Sequence, residues 1–261
     1  MAFSRRFVIL LSFILSATAW AADKVENAQL TALWLDGRRP AGELFIADAK
    51  GQPLKLSVGV ATRGAPFALP SAGKPIVLLR KSTAPASVTK VPAATAAPAN
   101  YEPAGEISWP SGGARKILLL LAAANPVGVP LTVRGVAIAD DLTSFPLGTL
   151  RFANFLGSDL VGRVGTEVKT LPAGPSAASP YPVKPAPGSK AVSNFPVGIA
   201  RQDSEGKADL LFNSRLDAWP HSRSLLLIFP GKTAEAGPVI RTVVETIPPS
   251  PAPNGLKPKS S

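Results

Sequence analysis

The sequence predicts an all-β protein made of two tandem antiparallel β-sandwich domains that arose by internal duplication. Three observations carry this. The pattern Gly42-x-Leu44-x-x-Ala47-Asp48-x-x-Gly51-x-x-Leu54-x-x-x-Val58-Gly59 recurs with identical spacing from Gly148 to Gly165, 106 residues later. Short β-branched or aromatic-bearing runs alternate with turn residues, 22 Gly and 28 Pro in 261 residues, as strands and turns do. No stretch sustains an i, i+3, i+4 apolar pattern between caps, so little helix is expected.

Taken in chain order, residues 1–21 have the layout of a secretory signal peptide. Arg5 and Arg6 form the basic start, residues 7–15 the apolar stretch, and Ala19-Trp20-Ala21 a small-x-small site with cleavage before Ala22. The apolar stretch is shorter than the roughly 20 residues of a spanning helix. No later segment is long and apolar enough, so no transmembrane span is expected after cleavage.

Residues 22–141 form the first predicted domain. Runs 44–48 and 54–60 are separated by Asp48-Ala49-Lys50-Gly51. Asp there accepts bonds from backbone amides and Gly takes positive φ, the chemistry of a type I turn. A hairpin bulged at the glycine is expected. Strands should follow at 75–80, 115–122 and 131–139. The Ala/Pro/Thr-rich segment 82–104 has too little apolar surface to offset its ordering entropy and is expected to be a loop.

Residues 142–247 form the second predicted domain. Its hairpin turn would be Asn154-Phe155-Leu156-Gly157, followed by strands at 196–201, 210–215, 223–229 and 239–247, with a Pro-rich loop at 175–190. Further landmarks recur in order: Leu69-Pro70 with Leu171-Pro172, Trp109-Pro110 with Trp219-Pro220, and the run from Pro130 to Arg134 with that from Pro238 to Arg241. Short strands at even spacing suggest Ig-like sandwiches. Residues 248–261 are expected to be a disordered tail. The repeated hairpin pattern followed by Leu-Pro and Ala-Gly resembles uncharacterised exported bacterial tandem β-sandwich proteins. That resemblance implies the fold and an extracytoplasmic setting, periplasmic or extracellular, and carries over no catalytic residue.

The chain has no cysteine. Disulfides, thiolate metal sites, a thiol nucleophile and lipid attachment at cysteine are thereby excluded. Formal net charge is +11, and +9 once Arg5 and Arg6 leave with the leader. That balance favours anionic neighbours such as envelope polymers. The cations are scattered in pairs, Arg38-Arg39, Arg80-Lys81 and Arg115-Lys116, without aromatic interleaving, so no specific nucleic-acid binding is expected.

Catalytic patterns are absent. The one histidine, His221, has Ser222, Ser224 and Asp217 nearby, but strand neighbours alternate faces and do not assemble a triad. The Ser87-x-x-Lys90 pattern lies in the expected loop. Asp140-Asp141, the one acidic doublet, sits at the junction of the copies, where neighbours do not face each other across a cleft. Phosphate-cradling and metal-ligand spacings are missing. No catalytic, cofactor or metal site is expected.

Two features point to contacts. Runs 117–121 and 225–229 are apolar at every position, so both faces of each strand must be covered, by a loop, the sister domain or a partner. Phe155 and Leu156 at the second turn would offer an apolar contact point, and Arg38 and Arg39 a basic one. The expected role is an exported, non-catalytic binding or assembly module at the bacterial cell envelope, contacting another envelope protein or an anionic polymer. The alternative is a hydrolase or carbohydrate-active accessory enzyme with its site in the inter-domain cleft.

Overall fold

The computed structural model describes residues 28–35, 42–48, 50–69, 73–82, 100–125, 130–183, 192–231 and 236–247. The leader, Arg38 and Arg39, Ser87 to Lys90 and the tail lie outside the described residues. Within them the chain is all-β. The first nine strands are β1 (Gln29–Trp34), β2 (Phe45–Ala47), β3 (Pro53–Lys55), β4 (Val58–Gly59), β5 (Phe67–Ala68), β6 (Ile76–Lys81), β7 (Tyr101–Ile107), β8 (Lys116–Ala123) and β9 (Val133–Ala139). The next nine are β10 (Thr149–Asn154), β11 (Leu160–Val164), β12 (Glu167–Leu171), β13 (Gly174–Pro175), β14 (Ser179–Pro180), β15 (Ser193–Gln202), β16 (Ala208–Ala218), β17 (Ser222–Phe229) and β18 (Val239–Thr246). No helix among the described residues is long and apolar enough to cross a membrane.

Four sheets result. The first runs β4-β1-β8-β9, with β5 also on β1, and the second β3-β2-β6-β7. The third runs β13-β10-β17-β18, with β14 also on β10, and the fourth β12-β11-β15-β16. The third sheet thus repeats the strand order of the first, and the fourth that of the second. The second and fourth sheets are antiparallel throughout. The first and third depart from the antiparallel expectation, because β1 pairs with β8 and β10 with β17 in parallel. Parallel neighbours need a long crossover. In each half the intervening chain supplies it by building the next sheet before it returns.

The apolar strands explain the layering. Along β8, Ile117, Leu119 and Leu121 join a buried cluster with Ile46, Leu78 and Ile107 of the second sheet. Their neighbours Leu118 and Leu120 point the other way, as successive strand residues must. They join Leu225, Leu227 and Val243 of the third sheet in a separate buried cluster. On β17, Leu226 and Ile228 then join Phe195, Val197 and Ile199 of the fourth sheet. Both faces of the first and third sheets are therefore buried along β8 and β17, which is why runs 117–121 and 225–229 are apolar at every position. Each half covers the other.

The Asp48 turn forms as expected. Asp48 Oδ1 accepts from Lys50 N and Gln52 N at 2.8 Å each, Gly51 N donates to Asp48 O at 3.0 Å, and Gly51 has φ +76°. The second hairpin does not form. Asn154 ends β10 in the third sheet and Leu160 begins β11 in the fourth, and the two strands are not paired. Asn154 Oδ1 still accepts from Leu156 N at 3.1 Å, and Gly157 has φ +79°. The same Asx-and-glycine chemistry here turns the chain from one sheet into the next. The turn that reproduces Asp48 bond for bond is Asp203 to Lys207, between β15 and β16. Asp203 Oδ1 accepts from Glu205 N and Lys207 N, and Gly206 N donates to Asp203 O.

Both expected loops also lose residues to the sheets. Strand β7 begins at Tyr101, inside 82–104, because Tyr101 packs edge-on against Phe45 at 5.0 Å and Ala104 is buried. Within 175–190, Pro175 of β13 and both residues of β14 dock on β10, and Tyr181 is buried. Residues 83–99 and 184–190 lie outside the described residues.

Candidate functional site

Of the residues singled out from sequence, Phe155 and Leu156 are drawn into packing. Phe155 is half-buried against the cluster between the first and third sheets, and its N–H donates to Ile228 O at 2.7 Å. Leu156 is half-buried against the cluster between the third and fourth. His221 is exposed with φ 54°, and its carbonyl accepts from Ile247 N at 2.9 Å. Ser222 and Ser224 are buried beneath Tyr181, whose hydroxyl lies 3.3 Å from Ser222 Oγ and 2.9 Å from Ser224 Oγ. Ser222 Oγ donates to Trp219 O at 2.8 Å, so the serine next to the histidine is tied to backbone and to tyrosine.

The densest polar cluster lies where the two halves meet. Arg223 on β17 stands directly opposite Glu245 on β18, and both face the first sheet alongside Leu225 and Val243. Its Nε donates to Glu245 Oε2 at 2.5 Å, and its Nη1 donates to the carbonyls of Asp140 at 3.0 Å and Phe145 at 2.7 Å. Its Nη2 sits 3.3 Å from Asp140 Oδ1. Arg63 enters from the first half, pairing with Asp140 Oδ2 and, at 3.0 Å, with Glu245 Oε2. Two guanidinium groups thus share two carboxylates across the seam.

Local structure places each member. Arg63 is on the loop after β4, held by Gly64 N donating to Ala32 O at 2.9 Å. A Cβ on Gly64 would meet Ser57 O at 1.9 Å, so that close approach requires glycine. Asp140 follows β9 directly. Asp141 instead closes the next turn, its Oδ1 accepting from Thr143 N and Ser144 N at 2.9 Å each. Arg151 on β10 donates to the carbonyls of Ala139 and Ser144. Phe145 is fully buried between Arg151 and Arg223, whose guanidinium carbons lie 4.8 and 4.7 Å from its ring centre. Cation–π contacts of this kind strengthen when desolvated.

Electrostatics follow from burial. The side chains of Asp140 and Arg223 are only 5 % and 3 % exposed, against 12 % for Arg63 and 29 % for Glu245. Burial pushes the Asp140 carboxyl above its ordinary value, while the guanidinium groups of Arg63 and Arg223 pull against it. Burial likewise lowers Arg151. For Asp141 burial acts upward too, but the hydrogen bonds from Ser144 and Thr143 prevail and hold the carboxyl below its usual range. Buried charges persist only when paired and hydrogen-bonded, and here their partners include backbone carbonyls of the connection between the halves.

Elsewhere on the seam, Arg241 of β18 reaches into the first half. Its Nη1 donates to Val60 O at 2.8 Å and its Nη2 to Trp34 O at 2.9 Å. What the cluster does chemically is fasten. Its charges meet one another and main-chain carbonyls, and the apolar cluster of Leu33, Leu118, Leu120, Leu225 and Leu227 fills the adjoining space between the sheets. Among the described residues, no group of three or more His, Cys, Asp or Glu side chains could hold a metal ion.

Sequence reasoning missed Arg63, Arg151, Arg223, Arg241 and Glu245. One signal was present: Arg223, Leu225 and Leu227 share one strand face, so an arginine continues an apolar row. No family model matches the chain, and no curated protein is significantly similar to it.

Proposed function

We propose that the chain is an exported, non-catalytic binding or assembly module of the bacterial cell envelope, built from two sandwich units related by duplication. The matching strand orders of the two sheet pairs support the duplicated sandwich. The basic start, apolar stretch and Ala-Trp-Ala site of residues 1–21 support export. The observation that carries the reading is the use made of the buried charges. Arg63, Asp140, Arg223 and Glu245 engage one another and the main chain of both halves, so they serve architecture.

An active-site cluster would keep an open face toward substrate. Here the space between the halves holds leucines and paired charges, which favours a rigid block over a cleft enzyme. Contacts then belong to outer surfaces, where cations such as Arg115, Lys116, Arg134 and Arg163 are exposed.

The test is retention of protein lacking residues 1–21 on an immobilised anionic polymer such as dextran sulfate. Retention at low salt that falls steeply as the ionic strength rises past ~0.1 M is expected for an electrostatic contact. Passage without retention at low salt refutes the anionic-polymer partner and leaves a protein partner.

A further inference from the structure

We infer that β18 is an edge through which two copies of this chain join, antiparallel, about a two-fold axis at Val243. Among the described residues, β18 pairs as a strand with β17 alone. Exposed edges are ordinarily guarded by cover, bulges, proline or outward charge. The corresponding edge in the first half, β9, is covered: β7 lies so close that a Cβ on Gly105 would meet Val133 O at 2.2 Å. The long edge β16 is bulged, since Ile199 pairs with Phe212 and Ala200 with Leu210, leaving Leu211 extra.

Among the described residues, strand β18 has none of these guards. Its residues pair with β17 in unbroken register from Val239 to Thr246, and it contains no proline. Val239 and Val244 are 42 % and 44 % exposed. Its two charges, Arg241 and Glu245, face the seam rather than the edge.

Backbone direction fixes which groups are free. Ile247 N donates to His221 O, on the β17 side. Amides alternate along an antiparallel strand. Ile240, Thr242, Val244 and Thr246 therefore turn their N–H and C=O groups to the open edge.

Charge selects the partner. Arg241 and Glu245 are placed symmetrically about Val243 and share one face. Pairing centred on Val243 sets Arg241 opposite Glu245 of the other copy, twice, and aligns the whole strand. Centring on Arg241 or Glu245 sets like charges together, and centring on Thr242 or Val244 matches neither. A shift that pairs odd with even positions would put inward residues against outward ones.

Centred on Val243, Ile240 exchanges bonds with Thr246 of the other copy and Thr242 with Val244. The Arg241 and Glu245 positions form the closer, non-hydrogen-bonded pairs, about 4.5 Å apart at Cα. Glu245 has capacity left, since its contacts with Arg63 and Arg223 all use Oε2. An isologous interface requires such self-complementarity.

The inference sharpens the assembly reading above by naming the partner as a second copy, and the two fail separately. The test is sedimentation equilibrium of the protein lacking residues 1–21, over a range of concentrations, with amide exchange at Thr242 and Val244. A dimer in which both amides are protected is expected. Val244→Pro removes an edge N–H that β17 does not use, and Thr242→Lys with Val244→Lys sets lysines opposite lysines. Both variants should sediment as monomers with the wild-type circular dichroism spectrum. A wild type that stays monomeric, or a folded Val244→Pro or double-lysine variant that stays dimeric, overturns the inference. A monomer still retained on dextran sulfate would overturn it while leaving the binding reading intact.

Discussion

Replacing Leu120 with alanine asks whether the surface between the halves is a true core. Leu119 and Leu120 are adjacent on β8 and both are fully buried at 0 % exposure. Leu119 packs toward the second sheet, whereas Leu120 packs toward Leu225 and Leu227 of the other half. Removing a fully buried leucine side chain to Cβ costs ~2–5 kcal/mol, the spread reflecting how far the cavity can collapse. Were the halves only loosely apposed, Leu120 would sit on a wet sheet face, where substitutions typically change stability by about 0.5 kcal/mol or less.

The seam therefore predicts that Leu120→Ala and Leu119→Ala destabilise to a similar extent. Leu227→Ala, from the other half, should match them. Urea unfolding followed by tryptophan fluorescence reads this out, because Trp34 is buried beside β8 at 2 % exposure. Loss of a few kcal/mol for Leu119→Ala with Leu120→Ala within about 0.5 kcal/mol of wild type would refute a packed seam.

Other predictions concern the polar groups. Arg223→Ala leaves Asp140 and Glu245 short of a partner and two carbonyls without a donor, so a loss of ~3–5 kcal/mol is expected in urea unfolding. Arg223→Lys should restore less than half of it, since an ammonium group cannot reproduce the guanidinium fork; full restoration would show that charge alone suffices. Asp48→Ala and Asp203→Ala each remove a carboxylate that accepts from two backbone amides in one geometry, so both should cost ~1 kcal/mol in thermal melts, and a silent Asp203→Ala would break the equivalence of the turns. The Asp141 carboxyl titrates below its unfolded value, so its contribution is complete above the ordinary aspartate range and is lost as pH falls through that range toward the lower folded value. Asp141→Asn should therefore weaken the fold at neutral pH and approach wild type near pH 3, and an equal deficit at both pH values would contradict this.

What the sequence disclosed was local. The unbroken apolar run on β8 demanded two covered faces, and it has them. The Asp48 turn was readable because aspartate and glycine there bond only within the turn. The same chemistry at Asn154 was misleading, since an Asx turn fixes a change of direction and not the strand that comes next. The 106-residue echo accordingly aligns β2 with β10, strands that occupy different places in their sheets. Parallel pairing of β1 with β8 was invisible for a related reason: it joins segments separated by a whole sheet. The charge network lay further out of reach. Arg63 and Glu245 are distant in the chain, and only the packing of two halves makes them neighbours.

The seam also constrains where contacts with other molecules can form. The first and third sheets bury both faces of their central strands, β8 and β17, and close those strands to partners. What they leave open is an edge. In the first half that edge, β9, is shielded by β7; in the second, β18 has a row of amides that no described strand pairs with. Turning Arg241 and Glu245 inward strengthens the seam and leaves β18 without the outward charge that commonly keeps edges apart. The residues that fuse the two halves are thus the ones whose placement about Val243 prepares β18 to meet its own copy. Fusion within the chain and assembly between chains would then draw on one pair of side chains. An Arg241→Ala variant should weaken both, lowering the urea midpoint and shifting sedimentation toward monomer. A variant that loses stability while dimerising as wild type would separate the two roles.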